Sequence, residues 1–331
     1  MRAKRLLILG GTEFVGRAFT DEALARGWEV TVFHRGRHPA PPGVTSLHGD
    51  RAAGPPGLAA LSTGSWDLVV DTWRGAPTAV RDAARLLADR VGHHVYVSSR
   101  SVYAFPAAPG LDEQGPVVAG SPDSTDSEYA PAKRGGELAA LAAFGERTLL
   151  ARCGLVLGPG ENVGRLPWWL NRIARGGPVP APGPSELGIQ YIDARDVAAW
   201  CLDAAVRGLG GAYNLVSPPG ETTIGALLAA CLRVTGSDAE LRWVDGAAIV
   251  AAGVEPWTQL PIWFPPGEYH DTMHQGDVRK ALAAGLRLRP LEETVADTWA
   301  WLRTLPGRTP EGTEHSPTGL SARTEALLLG H

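Results

Sequence analysis

Leu6-Leu7-Ile8-Leu9-Gly10-Gly11-Thr12-Glu13-Phe14-Val15-Gly16 carries the architecture of this chain near its start. The apolar run Leu6–Leu9 reads as a buried strand. The glycines turn the chain, and Arg17–Arg26 follows as a helix that Gly27 ends, with Val15, Phe19 and Leu24 on one apolar side. Strand, glycine turn and helix N-terminus in that order suit a dinucleotide pyrophosphate, which would meet free backbone N–H groups and the positive helix end. The candidate cofactor contacts in the turn are Gly10, Gly11, Thr12, Phe14, Val15 and Gly16. The spacing is close to Gly-x-x-Gly-x-x-Gly, but Glu13 takes the middle glycine's place, so its carboxylate must turn away from the phosphates. A tight turn without a ligand is the plain alternative.

Outward from this turn the pattern repeats. Glu29–His34, Leu68–Val70, Val95–Val97, Leu149–Leu157 and Ala212–Val216 read as strands, and Thr78–Arg90 as a helix between two of them. Strands alternating with helices predict βαβ units and a parallel sheet. The expected fold is α/β: a Rossmann doubly wound parallel sheet with a smaller C-terminal substrate lobe. Residues 1–165 with about 188–217 are assigned to the dinucleotide-binding domain, 166–187 and 218–305 to the lobe, and 306–331 to a tail. Helices are expected over Pro167–Gly177, Thr223–Thr235 and Leu320–Leu329, and a linker over Pro306–Pro317. The proline-rich stretches Gly36–Pro56 and Ala104–Ser127 read as long loops of the kind that carry function.

Composition narrows the classes. The chain has 331 residues, 44% hydrophobic, with a net charge of -4. That charge provides no general attraction to nucleic acid or to an anionic membrane. No apolar run approaches a membrane span, and Leu6–Leu9 is too short for a signal-peptide core. Three scattered cysteines, Cys153, Cys201 and Cys231, form no disulfide framework or Cys-x-x-Cys pair. A cytoplasmic protein is expected, and the excess of arginine over lysine, with abundant Ala, Gly and Pro, suggests a bacterial gene. His270 and His274 stand four apart but without the Glu of a His-Glu-x-x-His motif, so no metal is assigned.

His34-Arg35-Gly36-Arg37 follows the second strand. An acid there would bind the adenosine ribose of NAD, whereas a cation suits the 2′-phosphate of NADP. NADP(H) is therefore preferred, through Arg35 first and Arg37 second, with NAD(H) as the alternative. Asp50 is a candidate for the adenine edge, and Asp71-Thr72-Trp73 for the middle of the cofactor.

Tyr129 and Lys133 lie four apart in a chain with only six tyrosines and three lysines. Chance gives roughly 0.05 such pairs. On a helix they share a face, and an ammonium beside a phenol makes it easier to ionise, a property of a general acid/base. A pair without a catalytic role is the alternative at this point.

These residues together resemble the extended short-chain dehydrogenase/reductases, often labelled NAD-dependent epimerase/dehydratases, from Leu6 to about Leu302. The turn is similar to the atypical Gly-Gly-Thr-x-Phe-(Ile/Val)-Gly branch, which includes bacterial reductase-like proteins and the chloroplast stem-loop-binding proteins. Asp277–Leu282 and Gly285–Thr294 resemble that branch's C-terminal signature. The family's Ser-Ser-x-x-Val-Tyr pattern falls on Ser98–Tyr103, and its Tyr-x-x-x-Lys on Tyr129 and Lys133. The resemblance implies that Ser99 holds the substrate oxygen, Tyr129 passes the proton, and Lys133 holds the nicotinamide ribose and lowers the tyrosine pKa. Sugar dehydratases of the family place an Asp-Glu pair after the catalytic hydroxyl. Arg100 and Ser101 stand there instead, which argues against dehydration.

Arg152–Gly160 resembles the family's crossover into the substrate loop, and Gln190–Ala198 its return. Arg100, Trp168, Trp257 and Trp263 are the candidate substrate contacts, although most tryptophans are core or interface residues. Arg165, Arg172 and Arg175 could hold a diphosphate, or be solvated helix residues. Three functions follow: an NADP(H)-dependent oxidoreductase interconverting a ketone and a secondary alcohol on a small molecule, a nucleotide-sugar epimerase, or a non-enzymatic nucleotide or RNA binder. The small-molecule partner is preferred to nucleic acid, and the resemblance allows a homodimer.

Overall fold

The computed structural model describes residues 2–308, 310 and 318–330. The first half alternates as the sequence pattern requires: β1 (Arg5–Leu9), α1 (Phe14–Ala25), β2 (Glu29–His34), β3 (Thr45–His48), β4 (Trp66–Asp71), α2 (Pro77–Leu87), β5 (Val91–Ser99), α3 (Tyr129–Phe144) and β6 (Thr148–Cys153). With the strand Gly211–Leu215 they form a seven-stranded parallel sheet in the order Gly211–Leu215, β6, β5, β4, β1, β2, β3. The order reverses between β1 and β4. A crevice outside the carboxyl ends of the strands is where such sheets bind ligands.

The strands are near-continuous apolar runs because helices cover both faces. Leu6 and Ile8 pack on one side with Phe19 of α1, and Leu7 and Leu9 on the other with Ala83 and Leu87 of α2. Pro77 opens α2 at a position where its missing N–H costs nothing. The helix α3 is locked to the sheet by Glu137, wholly buried, whose carboxylate accepts from Arg152 at 2.9 and 3.0 Å and from Ser98 Oγ at 2.8 Å. Gly136 lets this helix approach β5, since a Cβ there would stand 2.2 Å from Tyr96 Oη.

A second core joins α4 (Arg165–Ala174) to Leu227, Leu228 and Cys231 of the helix Ile224–Thr235, to Val295 and Trp299, and to Trp263. Ala281 and Leu286 pack instead into the core shared with α1 and the sheet.

Several boundaries differ from the sequence reading. The helix α1 begins at Phe14 rather than Arg17, directly after an extended Glu13. The strand expected over Leu149–Leu157 breaks after Cys153; Gly154 bonds to Leu215, and Val156–Leu157 pairs separately with Ile192–Asp193. The stretch Gly36–Pro56 is not all loop, because Thr45–His48 adds β3 to the sheet edge. The C-terminal helix spans Ala322–Leu328, and the linker expected over Pro306–Pro317 falls largely outside the described residues.

Candidate active site

A cavity of about 910 Å³ runs along the carboxyl ends of the strands. It extends from Arg35 and Arg37 past the glycine turn to Ser99, Tyr129 and Trp257. At the turn Gly10 has φ +104°, a conformation that favours glycine. Gly16 has no room for a side chain, because a Cβ there would lie 2.0 Å from Gly10 O. Gly11 faces inward against Thr20, Val32 and Ile8, and is the one turn candidate that does not line the cavity. No side chain caps the α1 N-terminus. Its first amides are therefore open towards the cavity, as a pyrophosphate requires. Glu13 Oε1 lies 2.8 Å from His38 Nε2.

At the adenosine end His34 is buried. Its Nδ1 accepts from Gly36 N–H at 3.2 Å and its Nε2 lies 2.7 Å from Ser46 Oγ. Burial, then the nearby His48 and His38, pushes its pKa down, so the ring is neutral at pH 7. Arg35 and Arg37 are exposed at the cavity rim and pair with no carboxylate among the described residues. Asp50 lines the cavity and accepts from Ala52 N–H at 3.0 Å.

Beneath the middle of the cavity, Asp71 is wholly buried and does not line it. Arg51 grips Asp71 with two hydrogen bonds of 2.6 Å, and Asp71 Oδ1 accepts from Trp73 N–H at 2.9 Å. Burial opposes ionisation of Asp71, but Arg51 outweighs it and holds the carboxyl below its usual value. The expected cofactor contact is thus a support: it shapes the turn that brings Thr72 and Trp73 to the cavity wall.

Ser99, Tyr129 and Lys133 meet at the far end of the cavity. Ser98 is spent on Glu137, which leaves Ser99 as the serine of the pair free of the α3 lock. Ser99 Oγ accepts from Ser101 N–H and donates to Ser101 Oγ, both at 3.1 Å. Tyr129 opens α3, half-exposed as a residue with its hydroxyl end shielded. Burial pushes the phenol above its usual pKa, while hydrogen bonding with Ser99 and the charges of Arg165 and Arg74 oppose the rise. This reverses the direction expected from the helix spacing. Lys133 Nζ donates to the carbonyls of Trp73 and Val97 at 2.6 and 2.7 Å. Burial lowers the Lys133 pKa to about 8, against the pull of Asp71.

The substrate candidates divide. Trp257 and Arg100 line the cavity; Trp168 and Trp263 do not. Trp263 is fully buried in the second core, and Trp168 Nε1 is pressed against Gly319 of the C-terminal segment, which closes it off. The Arg100 guanidinium is committed to the carbonyls of Met273 and Thr272 at 3.0 and 3.1 Å, which ties the end of β5 to the helix Glu268–His274. Arg172 and Arg175 pair with Glu325 of the C-terminal helix, away from the cavity. His270 and His274 are consumed by backbone: His274 Nδ1 accepts from Gln190 N–H at 3.0 Å and its Nε2 lies 3.2 Å from Ile262 O. Among the described residues no cluster of His, Cys, Asp and Glu could hold a metal, and no helix is long and apolar enough to cross a membrane.

Arg51, Arg74, Asn162, Phe264 and Met273 belong to this site and were not assigned from the sequence. Arg51 follows the Asp50 candidate directly and Arg74 the Asp71-Thr72-Trp73 candidate; Asn162, Phe264 and Met273 have no local signal, because they reach the site from segments outside the sheet.

Comparison with known proteins agrees with this geometry. Residues 52–215 match the NAD dependent epimerase/dehydratase family. The fold is shared with a putative epimerase from Burkholderia cenocepacia J2315, at 21% identity and a TM-score of 0.69 over 91% of this chain and 99% of that one. The Bordetella bronchiseptica enzyme WbmH, solved with NAD+, superposes with a TM-score of 0.64 at 18% identity, over 91% of this chain and 99% of its own. A UDP-glucose 4-epimerase from Thermotoga maritima, solved with UDP-glucose, gives 0.65 at 18% identity over the same shares. In sequence, the chain is 25% identical over 219 residues to the chloroplast stem-loop binding protein of 41 kDa b from Arabidopsis thaliana, covering 60% of this chain and 54% of that protein. The match thus spans little more than half the length of that curated relative. Residues 52–215, just under half of the chain, are thus similar to that family, and the parallel Rossmann α/β fold is the one these solved structures share.

Proposed function

We propose that the protein is an NADP(H)-dependent oxidoreductase that interconverts a ketone and a secondary alcohol on a small molecule. The observation that carries this reading is the meeting of Ser99, Tyr129 and Lys133 on one cavity that reaches back to the uncapped helix α1. The glycine turn and the α1 amides would hold the pyrophosphate, and Arg35 with Arg37 the 2′-phosphate. When bound, the nicotinamide supplies or takes up the hydride. The chain's own residues handle oxygen and proton. Tyr129, its pKa raised by burial, is a neutral phenol at pH 7 and donates its proton to the carbonyl oxygen. Ser99 holds the same oxygen, and together the two hydroxyls stabilise the developing alkoxide. Lys133, held by two carbonyls, keeps a third N–H for the ribose. Arg100 and Ser101 supply no acid pair, so the site lacks the groups for eliminating water.

The second reading is a nucleotide-sugar epimerase, favoured by the structural likeness to epimerases, one of them solved with UDP-glucose. Stoichiometry separates the two. An oxidoreductase consumes one NADPH per ketone reduced, while an epimerase converts substrate with no net change in absorbance at the nicotinamide band. The relative named for stem-loop binding keeps a nucleic-acid role in view, but the net charge of -4 supports a small-molecule ligand.

A further inference from the structure

Arg165 stands in the first turn of α4 and lines the cavity together with Tyr129. Its guanidinium lies 4.9 Å from the centre of the Trp257 ring. Trp257 in turn stacks on Phe264 at 5.1 Å, and Phe264 on Tyr269 at 5.6 Å. The guanidinium therefore caps an aromatic stack that fixes its plane and leaves its N–H edge open. The loop that carries Trp257 is strained: Trp257 and Ile262 have φ of +68° and +74°, left-handed values that non-glycine residues rarely adopt. Trp257 N–H is tied to Trp263 O at 3.0 Å, which holds the ring in place.

A half-buried cation ordinarily finds a carboxylate. Arg165 has none. No described residue makes an ion pair or a side-chain hydrogen bond with its guanidinium. Glu161 is close in sequence, but its two oxygens accept from the main-chain N–H groups of Arg165 and Leu166 at 2.7 and 3.2 Å. Arg74, also without a side-chain partner among the described residues, is exposed on the same cavity. Two unpaired guanidiniums thus face the space beside the Tyr129 hydroxyl.

We infer that Arg165 is an anion clamp, and that the molecule reacting beside Tyr129 carries a carboxylate or phosphoryl group. A planar fork held on an aromatic stack matches either anion with two parallel hydrogen bonds and loses little freedom in doing so. The inference rests on the proposed placement of the reacting carbon at Tyr129, and its test is kept separate from turnover.

The test is calorimetric titration of the NADP+-saturated protein with benzoate, its neutral isostere benzamide, phenyl phosphate and UDP. Cofactor titration comes first: failure there would remove the proposed function, whereas the arms below bear on the clamp alone. Wild type is expected to bind at least one anion about tenfold more tightly than benzamide. Arg165→Gln should erase that preference with NADP+ affinity unchanged. Arg165→Lys should restore part of it, and Trp257→Leu should weaken it while leaving the charge in place. Strongest binding by benzoate assigns a carboxylate, by phenyl phosphate a phosphomonoester, and by UDP a nucleotide diphosphate. Equal binding of benzoate, phenyl phosphate and benzamide with no binding of UDP, or an anion preference that survives Arg165→Gln, overturns the inference.

Discussion

Lys133 Nζ lies 2.6 Å from the main-chain oxygen of Trp73. The Trp73 amide is held in turn by Asp71, and Asp71 by the fork of Arg51. A buried chain of charge and hydrogen bonds therefore runs from the end of β4 to the face of α3. Asp71→Asn keeps an acceptor for Trp73 but leaves Arg51 buried without a counter-charge. Breaking such a pair costs about 3–5 kcal/mol. Urea unfolding should show a loss of that order; a change below about 1 kcal/mol would mean that water reaches and solvates Arg51.

Tyr129→Phe should abolish turnover while cofactor still binds. Removing a positioned general acid typically slows catalysis by about 10²–10⁴-fold. Single-turnover measurements at saturating cofactor, with cofactor affinity measured in parallel, provide the check. Wild-type rates in this variant would remove Tyr129 from the mechanism.

Arg35→Ala should weaken NADP binding much more than NAD binding. An exposed arginine on a phosphate contributes a charge-assisted hydrogen bond of about 1.5–3 kcal/mol in a shielded site and less in water. Comparison of the two dissociation constants in wild type and variant decides the matter, and equal losses would sink the 2′-phosphate role.

Gly16→Ala should damage the cofactor end of the cavity directly. Its Cβ would meet the Gly10 carbonyl at 2.0 Å, a contact that only backbone movement relieves. Such overpacking costs about 1–3 kcal/mol, and NADP affinity should fall with it. A variant that binds cofactor normally would show that the turn is not the pyrophosphate site.

Glu161 gives a pH prediction. Burial raises its pKa from 4.5 to about 7, with Arg165 opposing. Between those values the unfolded chain has released the proton and the folded chain still holds it, so stability falls as pH rises through this window. Glu161→Gln should flatten that part of the pH–stability curve relative to wild type, by at most about 3 kcal/mol. An unchanged slope in urea midpoints between pH 4.5 and 7 would show that Glu161 is ionised throughout.

The alternation of strands and helices, the glycine turn and the Ser99, Tyr129 and Lys133 triplet were legible in the sequence. The sheet, the turn and the Tyr129–Lys133 pair depend on local rules: side-chain periodicity, the φ that glycine permits, and the i,i+4 geometry of one helix, whereas Ser99 was singled out by the family resemblance alone. Other features were beyond reach for the opposite reason. The partner of Lys133 is a carbonyl 60 residues away, that of Arg100 one 173 residues away, and no local pattern encodes such a contact. Trp257 and Trp263 sit six residues apart in one strained loop, yet one faces the cavity and the other fills the second core. The sequence by itself determined the sheet, the turn and the side chains available for chemistry. Only the tertiary structure decided what surrounds Tyr129, because burial raises its phenol while Arg165 at the start of α4 and Arg74 after β4, both distant in sequence, oppose the rise.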